Sequence, residues 1–196
     1  SAIKRYQEAF GTDLSSNSIE RLADYYELVM ERNHLLHLVG PCSPDEFATR
    51  HILESLTLLE FLPENARIAD IGTGAGLPSI PCLIVREDLQ GVLIESKAKK
   101  AGFLSETSEH LGLGQRVSIV NKQFKETSAA NISHVTCRAL DRFTENLPAI
   151  LKWSNRKRLL FFGGKDLGKR LQESKIRFVQ KLLPLSEQRF LYVSNK

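Results

Sequence analysis

The chain has 196 residues, 42% of them hydrophobic and 26% charged, with a formal net charge of +4. That length suits one well-buried domain with an appendage and excludes two full enzyme domains, while the charge permits a polyanionic partner without requiring one. No apolar run reaches the length of a membrane span and the N-terminus lacks a signal-peptide core, so neither a membrane partner nor secretion is expected. Residues 1–62 read as a helical extension and 63–196 as one compact α/β unit. In the extension, Asn17-Ser-Ile-Glu20 has capping-box form, and Ile19, Leu22, Ala23, Tyr26, Val29 and Met30 recur at helical spacing to about Leu38. Ser43-Pro44-Asp45-Glu46 starts a second helix with an N-cap, a proline and acids in its first turn. From Ala66, strands at 66–71, 90–95, 116–120, 132–138, 157–162, 176–182 and 188–194 alternate with helices near 77–86, 97–111, 143–154 and 166–174. Ser96 is placed to cap the second of these helices and Gly112 to stop it. The alternation implies a mostly parallel sheet. The last two strands are joined through Pro184-Leu-Ser-Glu, too short for a helical crossover, and should form an antiparallel hairpin.

The stretch Arg67-Ile-Ala-Asp70-Ile-Gly72-Thr-Gly74-Ala-Gly76-Leu77-Pro78 is the centre of this pattern. A buried strand ends at an acid and then at three alternate glycines, where the backbone can turn sharply and a ligand can approach. Pro78 and Pro81 fit the first turn of the following helix, whose unpaired N–H groups should face the ligand. A dinucleotide fingerprint is Gly-x-Gly-x-x-Gly; here the third glycine falls one residue early and an acid precedes the first by two. That spacing is the pattern of S-adenosylmethionine methyltransferases. Glu95, at the end of strand two, is placed to accept hydrogen bonds from both ribose hydroxyls of a nucleoside. A seven-stranded, mostly parallel Rossmann-like sheet ending in a hairpin is the class I methyltransferase fold. Cys42, Cys82 and Cys137 are odd in number and form no C-x-x-C pair, so a reducing cytoplasm is the expected compartment.

Four stretches in order carry a more specific likeness: Arg50-His51-Ile-Leu-Glu54-Ser55; Asp70 through Pro81; Glu95-Ser-Lys-Ala-Lys-Lys-Ala-Gly-Phe-Leu104; and Cys137-Arg138-Ala139. Together they resemble the glucose-inhibited division protein B family, bacterial methyltransferases acting on guanine N7 of 16S ribosomal RNA. The resemblance runs from about Leu28 to the end. It implies a class I fold with an N-terminal helical extension, S-adenosyl-L-methionine as the donor, and the small-subunit loop near nucleotide 530 as the target. By the same resemblance Gly72 and Leu77 touch the methionine part of the donor and Glu95 holds the ribose. Phe124 and Lys125 meet the adenine, and Arg138 stands beside the donor facing the target base. Asp70, Gly74 and Gly76 complete the expected donor site. Two departures stand out. The chain has His37-Leu38-Val39 where the family usually carries Asn-Leu-Thr, and Phe162-Gly163-Gly164 where it carries Leu-Lys-Gly, with Lys165 a substitute for the missing charge.

Guanine N7 has a lone pair and no proton, so attack on a sulfonium methyl needs orientation and no general base. Arg138 is the residue expected to orient the base, as arginine grips guanine in the major groove; the alternative is a salt bridge at a strand end. Arg50, Lys97, Lys99, Lys100 and Lys165 form an expected basic rim for RNA phosphates, each lysine singly also fitting a solvated helix face. His34, His37 and His51 lack the companions a zinc site needs, so no metal is expected. Phe103 and Leu104 read as core. A monomer is expected. Two other functions stay open: a dinucleotide-dependent oxidoreductase, and a non-catalytic RNA-binding or ribosome-assembly protein on the same fold.

Overall fold

The computed structural model describes residues 1–138, 143–174 and 176–195. Seven strands form one sheet in the order β3-β2-β1-β4-β5-β7-β6. They are β1 Arg67–Ile71, β2 Gln90–Ile94, β3 Val117–Val120, β4 His134–Arg138, β5 Arg158–Gly163, β6 Phe178–Leu182 and β7 Phe190–Ser194. The first five pair in parallel; β7 runs antiparallel to β5 and to β6. All seven expected strands exist, each shorter than drawn or shifted by a residue or two at its ends. Strand order reverses beside β1, between β2 and β4, and the crevice beyond the carboxyl ends of such strands is where open α/β sheets take ligands.

Alternating side chains put a separate core on each face of the sheet. Ile68, Leu93, Leu160, Phe162, Leu191 and Val193 pack on one side under the N-terminal helices and the helices α5, Ser79–Val85, and α6, Ala98–His110. Ala69, Ile71, Val135, Cys137, Leu159 and Phe161 pack on the other against α7, Phe143–Ser154, and α8, Lys165–Glu173. The N-terminal part opens with α1, Ala2–Tyr6, and continues with α2, Ser16–Leu36. Ile19, Leu22, Tyr25 and Val29 of α2 are buried in the same core as β1. Phe103 and Leu104 are core residues as expected.

Local starts and stops differ in places. The cap of α2 is Ser15, whose hydroxyl accepts from the Ser18 N–H; the Asn17 box does not form. Ser15 lies two residues before Asn17 and ranks as an equally good cap, so the helix starts there. Ser43 does cap α3, Pro44–Glu46, in a reciprocal box with Glu46. The chain then runs through a π-helical stretch, Phe47–Leu53, into α4, Glu54–Leu56, and a 3-10 turn, Thr57–Phe61. The N-cap of α6 is Lys97 rather than Ser96, without a side-chain cap bond. Gly112, at φ 66°, ends the α6 region as expected.

Candidate functional site

β1 delivers the chain to the glycine loop with Asp70 fully buried beneath it. Asp70 Oδ2 accepts from the Thr73 hydroxyl (2.8 Å) and the Ser79 N–H (3.3 Å). Burial pushes this carboxyl up to about 7; the Thr73 hydrogen bond pulls against that, and nearby Glu95 adds to it. Gly72 and Thr73 donate to the Ile94 carbonyl at the end of β2, and Gly76 and Leu77 donate to the Thr73 carbonyl. The loop is also gripped from the N-terminal part. The Tyr25 hydroxyl, fully buried, donates to the Ala75 carbonyl at 3.0 Å.

Gly72, Gly74 and Gly76 all take positive φ, at 66°, 58° and 96°, the region that favours glycine. Their surroundings differ. A Cβ on Gly74 would meet nothing nearer than the Gly72 carbonyl at 4.0 Å, whereas one on Gly76 would fall 2.3 Å from Ile80 Cδ1 and 3.2 Å from Leu104 Cδ2. Gly74 therefore faces open space and Gly76 faces the core.

That open space is a cavity of about 480 Å³. It gathers Gly72, Gly74, Leu77, Glu95, Lys97, Lys100 and Arg138 from the expected set, with His37 to Gly40 and His51. A second cavity of about 310 Å³ adjoins it through Gly72 and Ser96 and is lined by Phe124, Lys125, Lys122 and Asn146. Phe124 is held edge-on against Trp153, with ring centroids 6.2 Å apart, and Lys125 Nζ lies 5.7 Å over its ring.

Not every expected residue reaches these walls. Asp70 and Gly76 lie beneath the loop and line neither cavity, and exposed Arg50, Lys99 and Lys165 line neither. The first-turn N–H groups of α5 are not presented to the cavity: Ser79 donates to Asp70 and Ile80 to the Gly76 carbonyl. Ala139, the last residue of the fourth likeness, lies outside the described residues.

Glu95 is 6% exposed, with Oε2 accepting from the Gly74 N–H (3.1 Å) and Oε1 from the Lys97 N–H (2.8 Å). A carboxylate has about four acceptor positions, so capacity remains on the cavity side. Asn121 fixes the same corner by donating to the Glu95 and Ser96 carbonyls. Lys100 Nζ donates to the His37 carbonyl at 3.0 Å, and burial lowers its pKa. The Asn33 side chain accepts from the Leu38 and Val39 N–H groups. Lys100 and Asn33 thus pin the loop over the cavity mouth where the chain departs from the family pattern. Sequence reading missed Tyr25, Asn33 and Asn121; only Asn33, near a helix end, carried a local signal.

Arg138, at the end of β4, is largely buried with its side chain 13% exposed. Its Nη2 donates to the Arg50 carbonyl (2.5 Å) and to Glu54 Oε2 (3.3 Å). Its Nη1 is buried with no partner among the described residues. Beside it His51 is pushed down to about 4, first by burial and then by Arg138, Arg50 and Arg189, so it stays neutral near pH 7. Among the described residues no three His, Cys, Asp or Glu side chains converge as a metal site, and no helix is long and apolar enough to cross a membrane.

A nucleoside-sized cavity at the carboxyl ends of β1 and β2, under a left-handed glycine loop, is the layout of class I methyltransferases. Solved structures agree on the fold. A SAM-dependent methyltransferase from Aquifex aeolicus superposes with a TM-score of 0.61 at 18% identity, covering 78% of this chain and 93% of that one. Magnesium protoporphyrin IX methyltransferase from Synechocystis PCC 6803 gives 0.63 at 13% identity, covering 93% and 99%. The family is narrower. The sequence pattern described as rRNA small subunit methyltransferase G matches residues 18–188, and this chain belongs to that family. Ribosomal RNA small subunit methyltransferase G of Sorangium cellulosum is 37% identical over 147 residues, 71% of this chain and 61% of the relative. The Azoarcus sp. protein of that name is 40% identical over 106 residues, 54% and 50% of the two chains. The chain thus spans between half and about three fifths of the length of these curated relatives.

Proposed function

We propose that this chain transfers a methyl group from S-adenosylmethionine to guanine N7 of 16S rRNA in the small ribosomal subunit, near nucleotide 530. The observation that carries the reading is Arg138, largely buried in the wall of the glycine-loop cavity, with Nη1 unpartnered among the described residues. Among the described residues, neither Glu95 nor His51 in the cavity wall is poised as a base. Both Glu95 oxygens already accept backbone N–H groups, and His51, held to about 4, is a weak base. Such a site suits an acceptor atom that has no proton to lose, and N7 is one. Orientation is then the main task.

The residues present fit the donor. The open side of Gly74 leaves room for it, Glu95 keeps acceptor capacity for ribose hydroxyls, and the Phe124–Lys125 turn borders the second cavity, of about 310 Å³, where adenine would lie. Bound there, S-adenosylmethionine would supply an electrophilic methyl on a sulfonium. Lys97, Lys99, Arg50 and Lys165 would meet RNA phosphates, and the protein would act as a cytoplasmic monomer. A dinucleotide reading fits less well, because the α5 amides that would grip a pyrophosphate are committed to Asp70 and Gly76. The test is transfer of label from methyl-labelled S-adenosylmethionine to small-subunit RNA. Label in the RNA is expected; label in protein only, or none, overturns the proposal.

A further inference from the structure

Glu54 has no role in the reading above, yet it is 1% exposed and bracketed by two arginines from distant parts of the chain. Its Oε2 lies 3.3 Å from Arg138 Nη2, and its Oε1 lies 2.8 Å from both Nε and Nη2 of Arg189, just before β7. Arg138 Nη2 is held as well by the Arg50 carbonyl, and the Arg138 Cζ sits 5.4 Å from the Phe162 ring centroid. The guanidinium is therefore fixed on one edge and one face, and Nη1 is left over. Arg138 lines the donor cavity and also a cleft of about 400 Å³ bounded by Glu54, Phe143, Phe162, Leu167 and Arg189.

An unrestrained arginine grips guanine through O6 and N7 together. That grip would occupy the lone pair that must attack the methyl carbon. With Nη2 committed to Glu54 and the Arg50 carbonyl, the fork is broken, because both two-pronged edges of a guanidinium include Nη2. The charge balance points the same way. Two guanidinium groups meet one carboxylate while His51 stays neutral, so removing Glu54 leaves the largely buried Arg138 and the part-exposed Arg189 side by side without their shared counter-charge.

We propose that Glu54 is a positioning residue: it clamps Arg138 and Arg189 so that the Arg138 guanidinium cannot offer a two-pronged grip to a guanine in the adjoining cleft and N7 stays free. This rests on the proposed guanine-N7 transfer. In that step the N7 lone pair forms the new N–C bond, the C–S bond breaks with its pair going to sulfur, and the positive charge passes to the purine. No proton moves.

The test compares wild type, Glu54→Gln and the double variant Glu54→Gln/Arg189→Gln. Thermal unfolding, S-adenosylhomocysteine affinity by calorimetry, and steady-state kinetics on small-subunit RNA are measured on each. Glu54→Gln is expected to bind S-adenosylhomocysteine like wild type and to keep its KM for RNA, with kcat at least about tenfold lower. In NMR spectra the Arg138 Nη signals, distinct while the group is pinned, should average on Glu54→Gln. The double variant relieves the cation pair, so it should regain stability and not kcat. If Glu54→Gln fails to fold, the double variant carries the same comparison. Wild-type kcat in Glu54→Gln, or kcat recovering together with stability in the double variant, makes Glu54 a structural pin and overturns the proposal. A wild-type chain that methylates no guanine overturns the underlying reading, and this inference with it.

Discussion

Gly74 and Gly76 look alike in the sequence and should respond to alanine in opposite ways. At Gly76 the new Cβ would lie 2.3 Å from Ile80 Cδ1 and 2.6 Å from Ile80 Cγ1, with Leu104 at 3.2 Å. Ile80 and Leu104 are both 0% exposed, so neither can swing into solvent. Overpacking of this kind costs about 1–3 kcal/mol, and the positive φ adds about 1–2 kcal/mol. Gly76→Ala should therefore lose about 2–5 kcal/mol of stability. Gly74→Ala meets no atom closer than 4.0 Å, so only the backbone term of about 1–2 kcal/mol applies. Its methyl would instead occupy the space proposed for the donor. Urea unfolding measures the first quantity and calorimetry with S-adenosylhomocysteine the second. Gly76→Ala should unfold at much lower urea, while Gly74→Ala stays folded and binds the donor product weakly or not at all. A Gly76→Ala protein as stable as wild type, or a Gly74→Ala protein with unchanged affinity, refutes the division between a packing glycine and a ligand-facing one.

Glu95→Ala should weaken S-adenosylhomocysteine by about 1–3 kcal/mol, and faster hydrogen exchange at Gly74 and Lys97 should report the loosened loop; unaltered exchange would mean that Glu95 does not hold it. Neutralising Lys97 and Lys99 should flatten the salt dependence of RNA binding, measured by filter retention. Lys100→Gln should instead loosen the His37–Gly40 loop and leave the salt slope almost unchanged, because its ammonium is tied to the His37 carbonyl. His51 has its folded pKa depressed to about 4, below the unfolded value, so the unfolded chain binds more protons across the window between the two. Stability should be fully present above about pH 6.5 and fall by up to about 3 kcal/mol as pH drops towards 4. His51→Gln should flatten that part of a stability–pH curve, and an unchanged acid limb would assign the loss to other groups.

How much of this was legible in the sequence follows from what each signal depends on. The strands around Asp70 and Glu95 were readable because apolar runs broken by glycine and proline are local. Their ends drifted by a residue or two because pairing with a neighbour sets where a strand stops. The glycine loop was readable as a unit, whereas the difference between Gly74 and Gly76 was not. It depends on Ile80 and Leu104, whose positions only the folded helices fix. Lys100 read as one of four rim lysines, yet its side chain turns back to a carbonyl 63 residues away in sequence. Glu54 and Arg189 are 135 residues apart, and no periodicity links them. The π-helical stretch Phe47–Leu53 gave no warning either, since its residues suit an ordinary helix.

The identity of the methylated atom tests the central claim most directly. Small-subunit RNA treated with the purified chain and S-adenosylmethionine would be digested to nucleosides and analysed by mass spectrometry against methylguanosine standards. The proposed orientation of an acceptor atom that has no proton to lose predicts N7-methylguanosine at one position. Methyl on N1 or N2 of guanine, which must shed a proton, would contradict the account.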